Sequence, residues 1–163
     1  MKSRPEQPWI LPEMSEGEIR RRHRKLKEEM TKRNIHCLVV AGSQVNYGAG
    51  SDNIRYLSNY GIFYGEGYIV FPLSGEPRLF CRSMNQEFNA KVISLIPTQI
   101  SGYPIFARDI ANYMKDLKLE GEKIGIVGAE IMPTNVFVDL KQRLPKADFH
   151  FVSDILLEMR LIK

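Results

Sequence analysis

The continuous apolar run from Cys37 to Ala41 is the feature that most constrains the fold. An apolar run without polar alternation is typical of a strand that is buried on both faces. Two further strands at 68–71 and 78–81 flank the hairpin loop 72–77, and strands and helices alternate after them. This order of elements predicts one α/β domain with a mixed β-sheet flanked by helices.

Local signals place the helices around this sheet. Ser15 and Glu18 form a capping box, in which each side chain bonds to the other residue's backbone N–H, and they predict the start of a first helix. That helix ends near Asn34. Further helices are predicted over 53–60, 85–92, 106–117 and 133–144, and Ser153 is predicted to cap a closing helix. The remaining strands are predicted at 93–96, where Pro97 closes an edge strand, and at 124–127 and 149–152.

Composition bounds the class of protein. The chain has 163 residues, of which 44% are hydrophobic and 26% charged, and this suits a single globular domain with a buried core. Residues 1–14 contain three prolines and predict an arm rather than a signal peptide. No segment approaches the ~20 apolar residues that span a bilayer. We therefore expect a soluble, cytoplasmic protein without a membrane partner.

The net charge of +4 comes mainly from the basic segment 20–25. Nucleic-acid binding would require these basic residues to be interleaved with aromatic or other phosphate-contacting side chains. Instead, glutamates share this part of the chain, at positions 16, 18, 28 and 29. Mixed charge of this kind is typical of a solvated helix face, so we expect no nucleic-acid partner.

The chain contains no recognisable catalytic or metal-binding motif. Its histidines, His23, His36 and His150, are far apart in sequence and lack the spacing of metal ligands. Cys37 and Cys81 lie in apolar runs, where a free cysteine behaves as a small buried hydrophobe. We therefore predict no catalytic residue, no metal site and no cofactor within this chain.

The segment from Gly48 to Asn53 lies between a strand and a helix, where a dinucleotide fingerprint would occur. Its third glycine is replaced by Asn53, and the loop is longer than the tight turn that places a phosphate at a helix N-terminus. The favoured interpretation is that the glycines supply turn geometry and that Asp52 or Asn53 caps the helix. An independent nucleotide-binding enzyme is disfavoured.

Tyrosine and phenylalanine cluster between residues 56 and 68. Tyrosine combines a large apolar area with a polar tip and suits pocket rims and interfaces. For Tyr56, which lies at helical spacing from Tyr60, a core position is favoured. For Phe63 and Tyr64, which lie between Gly61 and Gly65 in a loop, a core position and a rim position are equally open.

Three segments together carry a resemblance to a known family. They are Asn34-Ile35-His36-Cys37-Leu38-Val39-Val40 after a basic helix, Asn53-Ile54-Arg55-Tyr56-Leu57-Ser58, and the closing Leu157-Glu158-Met159-Arg160-Leu161-Ile162-Lys163. Their order and spacing resemble the N-terminal domain of the creatinase/prolidase/aminopeptidase P family. The resemblance extends from about Glu16 to Lys163.

The resemblance implies a ribonuclease-H-like fold and a specific role. In the family, a following catalytic domain holds a pair of divalent metal ions, usually Mn, Co or Zn, and cleaves bonds next to proline or hydrolyses creatine. The N-terminal domain helps to form homodimers and lines the entrance to the partner subunit's active site. The residues that this implies for the substrate rim are Arg55, Tyr60, Phe63, Tyr64 and Glu66.

The resemblance also implies boundaries and a substrate class. We expect an arm at 1–14, the domain at 15–152, and at 153–163 the start of a linker helix toward a missing catalytic domain. Relatives that hydrolyse creatine carry Phe-Gly-Arg near Tyr64-Gly65-Glu66, so Glu66 disfavours creatine and suits a peptide with a free amino end. The parent is then an Xaa-Pro aminopeptidase, a dipeptidase or a related C–N hydrolase, and this chain alone is inactive. The alternative is a stand-alone protein-binding module of the same fold without hydrolase activity.

Overall fold

The computed structural model describes residues 14–44, 50–102 and 104–161. In these ranges the helices and strands alternate along the chain as α1 Glu16–Lys32, β1 Cys37–Ser43, α2 Asp52–Ser58, β2 Glu66–Pro72, β3 Arg78–Cys81, α3 Met84–Ile93, β4 Thr98–Ile100, α4 Phe106–Asp116, β5 Lys123–Val127, α5 Thr134–Arg143, β6 Asp148–Phe151 and α6 Asp154–Leu161. The predicted α/β class, with a mixed sheet flanked by helices, is confirmed.

The strands form one six-stranded sheet in the order β4-β3-β2-β1-β5-β6. β2 pairs antiparallel with both β1 and β3, whereas the pairs β1–β5, β5–β6 and β3–β4 are parallel. β2 therefore runs against the other five strands of the sheet. Every residue of β1 is buried, as its unbroken apolar run predicted.

Each face of the sheet is covered by its own helical layer. On one face, α1, α2, α3 and α6 supply side chains to a core that includes Leu26, Ile54, Ala90 and Ile155. On the other face, α4 and α5 supply a second core around Phe106 and Leu140. Residues 37–41 of β1 point alternately into these two cores, and this is why that part of the strand is entirely apolar.

The first helix begins where its capping signal predicted. The hydroxyl of Ser15 accepts a hydrogen bond from the backbone N–H of Glu18 at 3.2 Å. The carboxylate of Glu18 accepts hydrogen bonds from Arg21 at 2.7 Å and from Arg22 at 2.8 Å. Arg20 and Lys32 also pair with glutamates of the same helix, which accords with a solvated, mixed-charge face.

Three local predictions were wrong. The edge strand begins after Pro97 rather than at 93–96, because α3 continues to Ile93. Its first hydrogen bond to β3 runs from the Leu79 N–H to the Pro97 carbonyl, at 2.8 Å.

The other two concern α2. The residue before this helix is Ser51, and neither Asp52 nor Asn53 caps it. Their side chains instead accept hydrogen bonds from Arg160. The helix over 53–60 also ends early, at Ser58, because Asn59 turns into the left-handed region at φ 68°.

Several predictions concern residues whose structure is not described. The arm at 1–14 falls there except for Met14, and so do Gly48 and Ala49 of the glycine-containing loop. Gly50 is described, and a Cβ added there would lie 2.3 Å from the Ser43 carbonyl oxygen. Close backbone approach therefore requires glycine at this position, in accord with a structural role for the loop. Cys37 and Cys81 are both buried and free, as predicted.

Candidate functional site

A cleft of about 420 Å³ opens at the edge of the sheet where β1, β3 and β5 end and β2 begins. In open α/β sheets, ligands bind outside the carboxyl ends of the strands, at the place where neighbouring connections diverge. Here β1 has an antiparallel neighbour on one side and a parallel neighbour on the other. The cleft is lined by Ser43, Gly65, Glu66, Arg82, Glu130 and the segment 131–134.

Glu66 is the acidic group at the base of this cleft. It is the first residue of β2, pairs in register with Ser43 of β1, and is only 8% exposed. One carboxylate oxygen, Oε2, accepts a hydrogen bond from the Tyr68 hydroxyl at 2.7 Å. Burial, the charge of Glu66 and this hydrogen bond all raise the pKa of Tyr68, so its hydroxyl remains a proton donor at physiological pH. Tyr68 thereby fixes the orientation of the carboxylate.

Arg82 supplies a basic group to the same cleft. It directly follows β3 and is half-buried. Its guanidinium lies 5.8 Å from the ring centroid of Tyr64, within reach of a cation–π contact. A Cβ added at Gly65 would lie 2.8 Å from Nη1 of Arg82, and Gly65 has a φ of +68°. The positive φ therefore favours glycine at position 65, and any larger residue would also displace the flexible side chain of Arg82.

Glu130 borders the cleft from the loop after β5. It is exposed, and its carboxylate accepts a hydrogen bond from the Ser153 hydroxyl at 3.2 Å. The Ser153 oxygen in turn accepts one from the backbone N–H of Gly128 at 2.9 Å. This chain of bonds connects the cleft wall to the start of α6.

The loop before β2 presents two aromatic side chains to solvent. Phe63 is 61% exposed and Tyr64 is 73% exposed, which excludes the core position that the sequence left open, and their place on a substrate rim stays a prediction. Phe63 rests edge-on against Tyr60, with ring centroids 5.9 Å apart. The Tyr64 carbonyl accepts a hydrogen bond from the side-chain amide of Gln86 in α3. Both exposed residues are thus held by contacts to the domain body.

Tyr60 differs from its predicted position on the rim. It is buried in the core, because α2 has ended before it and the chain turns inward. Burial raises the pKa of Tyr60 to about 12. Its ring packs edge-to-face against the ring of Phe63 and so holds that exposed side chain against the core. Tyr56, for which the core was favoured, is partly buried against the same core.

Arg55 is half-exposed on α2 and is not among the residues that line the cleft. The cleft therefore joins Glu66 from the predicted set with Arg82 and Glu130, which sequence reasoning missed. Both missed residues follow the carboxyl end of a strand by one to three positions. That position was the available signal, because strand ends of one direction meet at one edge.

No part of the described chain offers a metal centre, since no group of three or more His, Cys, Asp or Glu side chains converges there. Within the same residues, no helix is long and apolar enough to cross a lipid bilayer. The cleft can bind and orient a charged ligand. The ionisable side chains that line it are the carboxylates of Glu66 and Glu130 and the guanidinium of Arg82, and two exposed aromatic rings lie in the loop before β2. These groups suit recognition of a ligand.

These features define a small α/β domain with a charged cleft at one edge of its sheet. The chain belongs to the Creatinase/Prolidase N-terminal domain family, which it matches over residues 22–162. The resemblance seen in its sequence motifs is thereby confirmed. A comparison with curated proteins gives no match.

Solved structures agree with this assignment. The prolidase from Pyrococcus horikoshii OT3 is 25% identical, with a TM-score of 0.62, over 88% of this chain and 35% of that one. A recombinant prolidase from Thermococcus sibiricus is 21% identical, with a TM-score of 0.70, over 89% of this chain and 37% of that one. A proline dipeptidase from Streptococcus pneumoniae TIGR4 is 17% identical, with a TM-score of 0.65, over 92% of this chain and 100% of that one. The chain thus spans little more than a third of the two archaeal prolidases.

Proposed function

We propose that this chain is the non-catalytic N-terminal domain of an Xaa-Pro peptidase-like metallohydrolase. In this proposal it acts within a homodimer, where the loop 60–66 forms part of the rim of the partner subunit's active site. The family assignment and the likeness to prolidases support the parent activity. The exposed pair Phe63 and Tyr64 beside a charged cleft is the observation that carries the rim assignment.

The cleft suits a short peptide that carries both charges. The carboxylate of Glu66 complements a free amino end, and the guanidinium of Arg82 complements a carboxylate. Glu66 in place of an arginine disfavours creatine, although Arg82 brings a guanidinium to the same cleft from β3. The flat faces of Phe63 and Tyr64 offer apolar area to a proline ring. We therefore favour an Xaa-Pro dipeptide or a peptide with a free amino end over creatine.

The proposed metal pair belongs to a different part of the parent protein. As the family resemblance implies, we propose that the Mn, Co or Zn pair is held by a separate catalytic domain of the parent protein. Such a pair activates water and stabilises developing charge when bound. The proposed role of this domain is to orient the substrate and to complete the dimer.

Reading the gene beyond codon 163 tests the parent assignment. We expect a further domain of roughly 200 residues that carries two Asp, one His and two Glu as metal ligands. The 163-residue chain alone, supplied with Mn, Co or Zn, should not hydrolyse Xaa-Pro dipeptides. A gene that continues without these ligands, or hydrolysis by this chain alone, would contradict the proposal.

Substrate recognition is tested in the full-length enzyme with Glu66→Gln. We expect KM to rise by about 10-fold or more for a dipeptide with a free amino end, the size of a charged hydrogen bond. KM for the same peptide with an acylated amino end should stay unchanged. Glu130→Gln, on the exposed side of the cleft, is the matched control. Equal effects on both peptides would remove Glu66 from the rim.

One observation favours a second candidate, the stand-alone protein-binding module. α3 exposes Met84, Phe88 and Val92, an apolar surface that an isolated monomer rarely keeps uncovered. This candidate predicts a stop codon after Lys163, or a continuation without metal ligands. The same reading of the gene therefore discriminates between the two candidates.

A further inference from the structure

Helix α3 carries an unpartnered apolar row on its outer side. Met84, Phe88 and Val92 recur every four residues and are 73%, 70% and 47% exposed; we call them the α3 stripe. The opposite side of the helix is anchored in the domain by the buried residues Gln86 and Ala90. Residues four apart lie on the same face of a helix, so the three side chains form one continuous ridge.

The stripe is continuous with two neighbouring apolar groups. The hydrogen bond from Gln86 to the Tyr64 carbonyl places the exposed Tyr64 beside the first turn of α3. Thr98 of β4 contacts Glu87 of α3 at 3.5 Å, so Ile100, two residues on, points to the same side of the sheet and is 45% exposed. The surface therefore extends from the loop before β2 across α3 to the sheet edge.

This surface is nearly neutral. Glu87 and Lys91 are the two charged residues of α3, and they form an ion pair with each other at 2.9 Å. The other outward positions, Asn85 and Asn89, are uncharged. Two copies of a chain with a net charge of +4 repel each other in general, and a neutral apolar face is where they can approach. A strongly charged partner would find no counter-charge there.

The area is also of the size that a dimer requires. Tyr64 and Phe88 alone expose on the order of 300 Å², since an aromatic side chain carries about 150–250 Å². A standard interface buries about 800 Å² on each partner. The three aliphatic and sulfur-containing neighbours, Met84, Val92 and Ile100, bring the surface toward that value.

We propose that the α3 stripe is a homotypic interface, on which a second copy of this chain packs its own α3 in the antiparallel sense. A two-fold axis through Phe88 places Met84 of each copy against Val92 of the other, so that the row is complementary to itself. Packing of two rows of i, i+4 side chains centres the contact on the middle residue. The inference rests on the dimer in the proposed function and assigns it a surface, with Tyr64 of each copy at the border.

Sedimentation velocity of the 163-residue chain tests the interface directly. Over about 1 to 100 μM, the range of ordinary self-association, we expect a concentration-dependent dimer. Phe88→Glu should weaken dimerisation at least about 30-fold, the effect of losing a central anchor. Val138→Glu, at an exposed apolar position of α5, should leave it unchanged. Circular dichroism and thermal unfolding confirm that both variants are folded.

Cysteine cross-linking tests the position of the axis. Cys37 and Cys81 are buried, so they do not compete for mild oxidants. Phe88→Cys should form a disulfide-linked dimer, because residues on the two-fold axis bring their Cβ atoms to within bonding range. Val138→Cys is the matched control and should remain monomeric on the same timescale.

Two results would overturn the inference. One is a wild-type chain that stays monomeric throughout the concentration series, and the other is F88C cross-linking no faster than V138C. The surface would belong to a contact with a following domain if two results occurred together: the α3 stripe is protected from hydrogen exchange in a longer protein, and the 163-residue chain is monomeric. These measurements are independent of hydrolysis and of the gene's continuation, so the inference and the proposed function can fail separately.

Discussion

Tyr60 and Tyr68 are both buried near the start of β2, but their hydroxyl groups differ in hydrogen bonding. The Tyr68 hydroxyl donates to Glu66 at 2.7 Å, whereas the Tyr60 hydroxyl has no hydrogen-bond partner within the described residues. A buried polar group without a partner loses its hydration and gains nothing in return. The same residue type therefore stabilises the fold at one position and costs free energy at the other.

Removing each hydroxyl should have opposite consequences. Tyr68→Phe is expected to lower the free energy of unfolding by about 1.5–3 kcal/mol, because the bond is made to a charged carboxylate. Tyr60→Phe is expected to be neutral or to stabilise by up to about 1 kcal/mol. Urea unfolding of the two variants measures the difference, and a larger loss for Tyr60→Phe would contradict the assignment.

Gly65 lines the cleft with a positive φ and lies close to Arg82. Gly65→Ala should destabilise the protein by about 1–2 kcal/mol, since an alanine would be strained at positive φ and would press on Arg82. Gly121→Ala is the matched control, because a Cβ there meets nothing within 4 Å and its φ is not positive. Equal effects of the two substitutions, measured by urea unfolding, would show that the Arg82 contact does not constrain position 65.

At the scale of the elements, α1 combines a cap with an ion-pair cluster. Arg21 and Arg22 hydrogen-bond to Glu18 and lower the pKa of that carboxyl to about 2 from an ordinary 4.5. The folded state thus holds the charged form more strongly than the unfolded chain does. This contribution to stability is complete above pH 4.5 and is lost as the pH falls toward 2.

Replacing the carboxylate should remove that pH dependence. Glu18→Gln is expected to lower the free energy of unfolding by about 1 kcal/mol or less at neutral pH, the size of exposed ion pairs. Its deficit relative to wild type should shrink as the pH falls from about 4.5 to about 2. Glu28→Gln, on the same helix and exposed, serves as the control in a pH series of unfolding curves. A pH-independent deficit would contradict this role of Glu18.

Elements with a strong local signal could be predicted from the sequence, and those set by distant contacts could not. β1 followed from its apolar run, and the start of α1 followed from Ser15 and Glu18. The edge strand was misplaced because the Leu79 N–H bonds to the Pro97 carbonyl, a partner that is distant in sequence. The local sequence suggests that Asp52 or Asn53 caps α2. Their side-chain oxygens instead accept hydrogen bonds from Arg160, more than a hundred residues later.

Some residues of the candidate site could likewise be predicted from the sequence, whereas others depend on contacts between distant segments. The family motif led to the loop that contains Phe63, Tyr64 and Glu66. Sequence could not show that Arg82 reaches the same cleft, because its proximity depends on the order of strands in the sheet. The same motif placed Tyr60 on the rim, but its side chain is buried in the core, because the chain turns inward after α2 ends at Ser58.

At the scale of the whole molecule, two arginines fasten the last helix to the first half of the chain. Arg33 contacts Asp154 at 2.5 Å and Glu158 at 3.2 Å, which joins the end of α1 to α6. Arg160 contacts Asp52 at 2.7 Å, which joins α6 to α2. The segment that follows the sheet is thereby held in place by ion pairs at both ends of the helix.

Hydrogen exchange should report on this fastening. In Arg33→Ala and Arg160→Ala, amide exchange across 154–161 is expected to accelerate by about 5-fold, which corresponds to ~1 kcal/mol of lost local stability. Arg143→Ala removes an ion pair within α5, to Asp139 at 2.8 Å, and should leave α6 unchanged. Unaltered exchange in α6 for both variants would show that apolar packing alone holds it.

The lengths of the outermost strands determine how copies of this domain can meet. β4 has three residues and β6 has four, so each border of the sheet presents few unpaired backbone N–H and C=O groups. Long open borders template strand addition and fibrous aggregation, and short ones discourage it. A concentrated solution of this domain should therefore assemble through side-chain surfaces and stop at small, closed species, rather than extend its sheet from molecule to molecule.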